Sequence, residues 1–283
     1  MISGILATVL FQLIQGQGRF VSLQSAREEV QQNSRGALEL MTSDLRAVPA
    51  GAIDSAGPNG IRFKLPRVWG VLCDASLLTG GDMGVIFPPA GLPNDVSTSS
   101  SSSLWGVAVP GLATREYVAG SLTGVGTTNT SCAPLGADAD VTVRQISYGT
   151  LSGTPNAPVG DRVFLYQTVR YDTKSGSSGA LRGVWLRRSN GDGGLQPLAG
   201  PLKAPADATT STEGLVLTYY CGTKPLTEAQ LVLVTNLRTI DRIKIKLAMQ
   251  SRNRTGAGSL QVQTDSVTVH LRNNGPGGVT CPT

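Results

Sequence analysis

The first 48 residues carry the periodicity of one long helix. Residues 1–14 are apolar apart from Ser3, Thr8 and Gln12. Apolar residues then recur mostly three or four positions apart, at Val21, Ala26, Val30, Ala37, Leu38, Met41, Leu45 and Val48. This spacing is typical of one helix face, and Pro49 predicts that the helix ends at residue 48.

A helix of this length would extend about 72 Å, far more than the helices of globular domains. Its first part is therefore predicted to bury itself outside its own domain, as an anchor. The anchor side chains are Ile5, Leu6, Val9, Leu10, Phe11, Leu13 and Ile14. The second part is predicted to be a stalk that packs on the domain through Val30, Leu38, Met41 and Leu45. The alternative is an amphipathic helix buried within a soluble domain.

The chain beyond Pro49 changes to short runs rich in β-branched and aromatic residues, several of them alternating apolar with polar. These runs predict strands at 61–65, 68–73, 104–110, 141–148, 162–171, 181–188, 214–221, 243–250 and 265–272. One more helix is predicted at 227–237. The expected fold class is α+β, with a long helix over 1–48 packed on a β-rich, loop-rich domain over 49–283.

Composition favours a loop-rich β protein over a helical enzyme. Charged residues make up 15% of the chain, below the roughly 25% of average soluble domains, and there are 35 glycines. The formal net charge of +5 permits contact with nucleic acid or an anionic surface but argues for neither.

Four cysteines are dispersed along the chain, at Cys73, Cys132, Cys221 and Cys281. The spacing excludes a CxxC motif, and the single histidine, His270, is too little for a Cys/His metal cluster. Two disulfides in an oxidising compartment are expected. Three connectivities are open, of which we favour Cys73–Cys132 with Cys221–Cys281; the alternative is buried reduced thiols.

Candidate chemistry is sparse. Asp138 and Asp140 are weak candidates for a calcium site, and a solvated loop is the favoured interpretation. The sequence has no G-x-S-x-G, phosphate-binding loop or H-E-x-x-H motif, so we expect neither catalysis nor a cofactor. A basic cluster could contact nucleic-acid phosphates, although a solvated strand face is favoured. Its members are Arg238, Arg242, Lys244, Lys246, Arg252 and Arg254.

The first 48 residues resemble the N-terminal helix of type IV pilin-like proteins, particularly minor pilins and pseudopilins of the PilW and GspJ kind. The matching pieces are "ISGILATVLFQLI" and "EEVQQNSRGALELMTSDLRAV". Later segments agree with the family in their order along the chain and in their general residue pattern: "LVLTYYC", "IDRIKIKLAMQSRNR" and "VTVHLRNN". The segment from about 66 to 140 lies outside the resemblance.

The resemblance implies a structural subunit of a type IV pilus-like or type II secretion filament, at or near its tip. The helix would lie in the inner membrane with the domain in the periplasm, and would then join other pilins or pseudopilins in the filament core. A tip adhesin or DNA-binding pilin at the cell surface is the alternative, and a secreted hydrolase a further one. Family members begin with a basic leader and Gly-Phe-Thr-Leu-x-Glu, so Met1 is expected to be an internal start.

Overall fold

The computed structural model describes most of the chain, with gaps. The described residues are 2–49, 51–74, 81–88, 92, 96, 105–111, 117–127, 143–176, 183–190, 194–204, 214–254, 259–271 and 281–282. Within the N-terminal helix, side chains are described from Leu10 onward.

The architecture is one N-terminal helix followed by a large antiparallel sheet. Helix α1 spans Ile2–Arg46. The strands are β1 Ile53–Gly57, β2 Gly60–Asp74, β3 Asp82–Ile86, β4 Trp105–Pro110, β5 Tyr117–Thr127, β6 Val143–Tyr148, β7 Arg162–Gly176, β8 Gly183–Asn190, β9 Gln196–Leu202, β10 Leu215–Cys221, β11 Lys224–Pro225, β12 Arg242–Gln250 and β13 Val262–His270. Short helices α2 (Glu228–Leu231) and α3 (Val234–Leu237) lie between β11 and β12.

The coarse fold prediction, an N-terminal helix with a β-rich domain, is confirmed, and most of the chain's regular structure beyond the helix is strand. The helix ends at Arg46, two residues before the predicted end. The predicted strands 61–65 and 68–73 are one strand, because the ladder with β7 continues past Pro66 through a bulge between Pro66 and Val68.

One further prediction about the elements was wrong, and several strands were not predicted. The helix expected at 227–237 is two four-residue helices. The first begins at a capping box in which Thr227 and Gln230 bond each other's backbone N–H. Strands β1, β3, β5 and β9 were missed; β5 contains Gly120, Gly124 and Gly126, and β9 contains two prolines, all poor strand signals.

The β2–β7 pairing joins two hydrophobic clusters. Its register runs from Gly60 opposite Asp172 to Val71 opposite Arg162. One end contributes Phe63 and Tyr171 to the cluster beneath α1, and the other end contributes Leu72 and Leu165 to a second cluster built on β3–β6. The domain therefore has a core that the helix covers and a core that it does not.

Helix α1 covers the first core with one face of its second half. Buried positions recur every three or four residues, at Ala26, Val30, Ser34, Ala37, Met41, Leu45 and Val48. They pack on the inner face of β12, where Ile243, Ile245, Leu247 and Met249 are all buried. The side chains of Arg27, Glu28, Arg35 and Glu39, which lie between these positions, are exposed.

A disulfide closes the end of this sheet. Cys221, the last residue of β10, is bonded to Cys281 across 60 residues of sequence, as expected. Cys73 is also disulfide-bonded. Its expected partner, Cys132, lies outside the described residues.

We expect the two helix faces to differ sharply in their contribution to stability. Leu45 is fully buried, so Leu45→Ala should lower the free energy of unfolding by about 2–5 kcal/mol through lost burial and a residual cavity. Leu38 is only half-buried, so Leu38→Ala should cost less than Leu45→Ala. Glu39→Ala is the control and should change stability by less than about 0.5 kcal/mol. Denaturant midpoints measure all three, and equal effects would contradict packing of this face.

Candidate functional site

The N-terminal half of α1 exposes large apolar side chains. Leu10, Phe11, Leu13, Ile14, Phe20 and Val21 are between 52% and 64% exposed. Within the part of the chain that the structure describes, no helix is both long enough and apolar enough to cross a membrane. Gly16 and Gly18 lie in the same stretch, and a Cβ at either would meet no atom within 4 Å. Small residues on an open helix surface permit close approach of another helix.

The predicted stalk residues lie against the sheet. Val30, Met41 and Leu45 are buried in the core beneath the helix, and Leu38 packs at its margin. Of the predicted anchor residues, Leu10, Phe11, Leu13 and Ile14 are exposed. The other three, Ile5, Leu6 and Val9, lie in the helix, and their side chains are outside the described part.

A buried carboxylate fixes the end of α1 to the sheet. Asp44 Oδ2 accepts a hydrogen bond from the Tyr171 hydroxyl at 2.7 Å and from Arg188 Nε and Nη2 at 3.0 and 2.8 Å. The side chains of Asp44 and Arg188 are 8% and 15% exposed. Arg188 Nε also lies 3.0 Å from the Tyr171 hydroxyl oxygen. We call Asp44, Tyr171 and Arg188 the helix clamp.

The register of β7 and β8 explains how the clamp forms. Tyr171 and Arg188 are directly opposite each other, and so are the next residues, Asp172 and Arg187. Because successive residues of a strand point to opposite faces, the first pair is directed at the helix and the second away from it. Asp172 and Arg187 form their own two hydrogen bonds, both 2.9 Å long.

The negative charge of Asp44 is unfavourable at the C-terminal end of α1. A carboxylate in the last turn of a helix is disfavoured by the macrodipole. The compensation comes from Arg188, whose guanidinium neutralises the carboxylate and satisfies it by charge-assisted hydrogen bonds. Asp44 therefore stabilises the attachment of α1 to the sheet and does not stabilise the helix on its own.

Two further contacts tie the middle of α1 to the sheet edge. The buried Ser34 hydroxyl donates to Asp265 Oδ2 of β13 at 2.5 Å. Glu29 Oε1 lies 3.3 Å from Arg252 Nε, which also places its guanidinium 5.4 Å from the Trp185 ring. These contacts hold α1 on the sheet from the clamp back toward Ala26, where the helix leaves the domain.

The clamp residues were missed at the sequence level. The available signal was Asp44 itself, a carboxylate between Met41 and Leu45 on the apolar side of the helix. Its partners stand 127 and 144 residues away, so only the sheet register brings them together.

The basic cluster does not form one surface. Lys244 and Lys246 are exposed on the outer face of β12. Arg242, at one end of that strand, donates to the Gly222 carbonyl at 2.6 Å and lies 4.7 Å from the Tyr220 ring. Arg252, beyond the other end, is engaged by Glu29. Arg242, Lys244 and Lys246 therefore share one face of β12, whereas Arg252 is directed at α1.

A cleft of about 250 Å³ lies where β1 and β2 meet β5 and β7. Its walls include Tyr117 and Phe164, whose rings meet edge to face at 5.2 Å, and Tyr166. Lys64 and Asp54 form an ion pair in the lining. Burial, with a smaller effect of Asp54, raises the pKa of Tyr166 to about 12, so its hydroxyl stays protonated at neutral pH.

Metal-binding clusters of three or more His, Cys, Asp or Glu side chains are lacking among the described residues. The weak calcium candidates, Asp138 and Asp140, lie outside that part of the chain. Comparisons with protein-family models, with curated proteins and with solved structures gave no match to this chain.

Breaking the clamp should be costly. Asp44→Ala leaves Arg188 partly buried without its carboxylate, and we expect a loss of about 3–5 kcal/mol in the free energy of unfolding. Hydrogen exchange of the helix amides from about residue 26 to 46 should accelerate at the same time. The matched control is Arg170→Ala, which removes an ion pair with Asp172 whose arginine is 54% exposed, and should cost less than about 1 kcal/mol. Equal costs for the two variants would contradict the clamp.

Alkaline pH should destabilise the fold through its buried tyrosines. Burial, reinforced by Asp44, raises the pKa of Tyr171, and burial raises that of Tyr219. The unfolded chain releases these protons near pH 10 while the folded protein retains them, so stability is complete below pH 10 and falls above it. Tyr171→Phe should reduce this fall. Urea unfolding between pH 8 and pH 11 measures it, and identical pH slopes in wild type and variant would overturn the assignment.

Proposed function

We propose that the protein is a structural subunit of a type IV pilin-like filament, a minor pilin or pseudopilin, and acts by assembly and not by catalysis. The observation that carries the proposal is the division of α1 into two halves. The half from Ala26 onward is docked on the sheet, whereas the half before it projects with exposed apolar side chains.

The projecting half needs a partner. About 24 residues at 1.5 Å per residue extend roughly 36 Å beyond the docked part. Six large apolar side chains more than half exposed along this length form a surface that water disfavours. Packing against equivalent helices of neighbouring subunits would bury it, and Gly16 and Gly18 would let those helices approach closely.

The clamp suits this role. A subunit in a filament must transmit force from its helix to its domain without the two separating. Apolar packing alone allows a helix to slide, whereas the hydrogen bonds of Asp44 with Tyr171 and Arg188 fix its rotation and its position along the axis. The protein would therefore behave as a rigid unit with the helix inward and the sheet outward.

The proposed location rests on the resemblance of the N-terminal helix to that of pilin-like proteins. Before assembly the helix would lie in the inner membrane with the domain in the periplasm. An oxidising compartment there agrees with the Cys221–Cys281 disulfide. Other pilins or pseudopilins are the proposed partners of the helix.

The test is to charge the exposed apolar surface without disturbing the fold. In cells that produce the protein, Phe11→Glu and Ile14→Glu should abolish its recovery in sheared filament fractions, because a carboxylate cannot be buried between helices without a partner. Gln24→Glu, at an exposed polar position close to the docked half, is the control and should retain incorporation. Denaturant midpoints should be unchanged in all three. Normal incorporation of Phe11→Glu would refute the helix-core role.

A further inference from the structure

The strand β13 is an open edge of the sheet. All nine of its residues pair with β12 in an unbroken register, from Arg242 opposite His270 to Gln250 opposite Val262. On its other side, no strand among the described residues pairs with it. An edge strand of this kind can template the addition of another strand.

The hydrogen bonds at the two ends of this ladder show which residues face the open side. Ser251 N donates to the Gln261 carbonyl at 2.8 Å, and Leu271 N donates to the Asp241 carbonyl at 2.9 Å. Bonded and non-bonded pairs alternate in an antiparallel ladder, so the odd-numbered residues of β13 bond β12. The even-numbered residues direct their N–H and C=O groups outward: Val262, Thr264, Ser266, Thr268 and His270.

Most of the features that usually protect an edge are missing from β13. The strand contains no Lys, Arg, Pro or Gly, and its register shows no bulge. Its one carboxylate, Asp265, faces the helix and is occupied by hydrogen bonds from Ser34 at 2.5 Å and Gln263 at 3.2 Å. The edge therefore has an unbroken register and carries one carboxylate, and within the described part of the chain its outer side is unpaired.

Helix α1 and β13 form the two walls of a groove. It contains two depressions, of about 880 Å³ beside residues 267–270 and about 490 Å³ beside residues 261–264. Leu38 and Val267 are half-buried in the first, so part of their apolar surface faces the groove. Arg27 lines one depression and Arg46 the other, and both are exposed.

We propose that this groove binds an extended segment of another polypeptide, which adds to β13 as a further strand. The backbone of the segment would pair with the outward N–H and C=O groups of Thr264, Ser266 and Thr268. Recognition of this kind takes its affinity from main-chain hydrogen bonds and its specificity from alternate side chains. The proposal concerns a different surface from the filament helix and does not depend on it.

The side chains that line the groove indicate which residue types the bound segment would carry. Alternate side chains that face the helix meet Leu38 and Val267, so they are apolar. The charged side chains that line the two depressions are Arg27, Arg46 and Glu39, an excess of positive charge with an arginine in each depression. The segment therefore carries carboxylates toward its ends, with apolar residues at every second position between them.

The test uses the full chain and a synthetic probe. The probe is the acetylated and amidated peptide Glu-Thr-Val-Thr-Val-Thr-Glu, in which the glutamates and valines share one face. It carries a fluorescent label, and binding is followed by anisotropy. We expect saturable binding that weakens with salt, and slowed hydrogen exchange at the amides of Thr264, Ser266 and Thr268. The same peptide with proline at its central threonine is the negative control, because in antiparallel pairing the N–H of that residue faces β13.

Two pairs of variants separate backbone pairing from other contacts. Ser266→Pro and Thr268→Pro remove an outward N–H and leave the bonds to β12 in place, so binding should weaken about tenfold or more. Ser266→Ala and Thr268→Ala keep the N–H and should bind as the wild type does. Thermal unfolding checks that each variant is folded. If a proline variant does not fold, the hydrogen-exchange measurement on the wild type still tests the proposal.

Three results of the binding and exchange experiments would overturn the proposal. They are no binding at millimolar peptide, equal binding by the proline and alanine variants, and unchanged exchange at the three outward amides. Sedimentation of the wild type alone is the last measurement. A dimer that Ser266→Pro abolishes would show that the edge pairs with a second copy of this chain, which also refutes the proposed partner.

Discussion

The carboxylate of Asp44 stands in the last turn of α1, where the helix dipole opposes it, and is held there by Tyr171 and Arg188. Much of the architecture depends on this contact. Arg188 faces the helix beside Tyr171 only because β7 and β8 pair in one register, and a slip of β8 by a single residue would turn Arg188 away. The clamp therefore links the position of the helix to the register of the sheet.

The clamp also explains how one helix can serve two environments. From Ala26 onward, α1 is part of the domain core, with Met41 and Leu45 fully buried. Before Ala26 it is a projection with Phe11 and Ile14 exposed. A force on the projecting half of α1 is transmitted to its docked half. Apolar packing resists the sliding of a helix along a sheet poorly. A buried, charge-assisted contact near the base supplies the directional restraint that packing lacks.

The proposed filament helix and the proposed strand-binding groove lie on different parts of the same docked unit. The helix contributes its free half to the first and one wall of its docked half to the second, where Arg27 and Arg46 line the depressions. The positions of both surfaces follow from the line that α1 takes across β12 and β13. A change that loosens the clamp would therefore affect the groove, whereas a change at Phe11 would not.

The sequence by itself determined the elements whose signals are local. The apolar stripe and Pro49 located α1 to within two residues of its end, and alternation located most of β7, β10 and β12. The dispersed cysteines predicted disulfides and left three pairings open, and the structure contains the favoured Cys221–Cys281 bond. Glycine-rich β5 and proline-containing β9 were missed because their propensities are poor and only their neighbours hold them as strands. The clamp and the open edge were decided by tertiary structure alone, because each depends on the pairing register of segments far apart in the chain, and no local pattern encodes it.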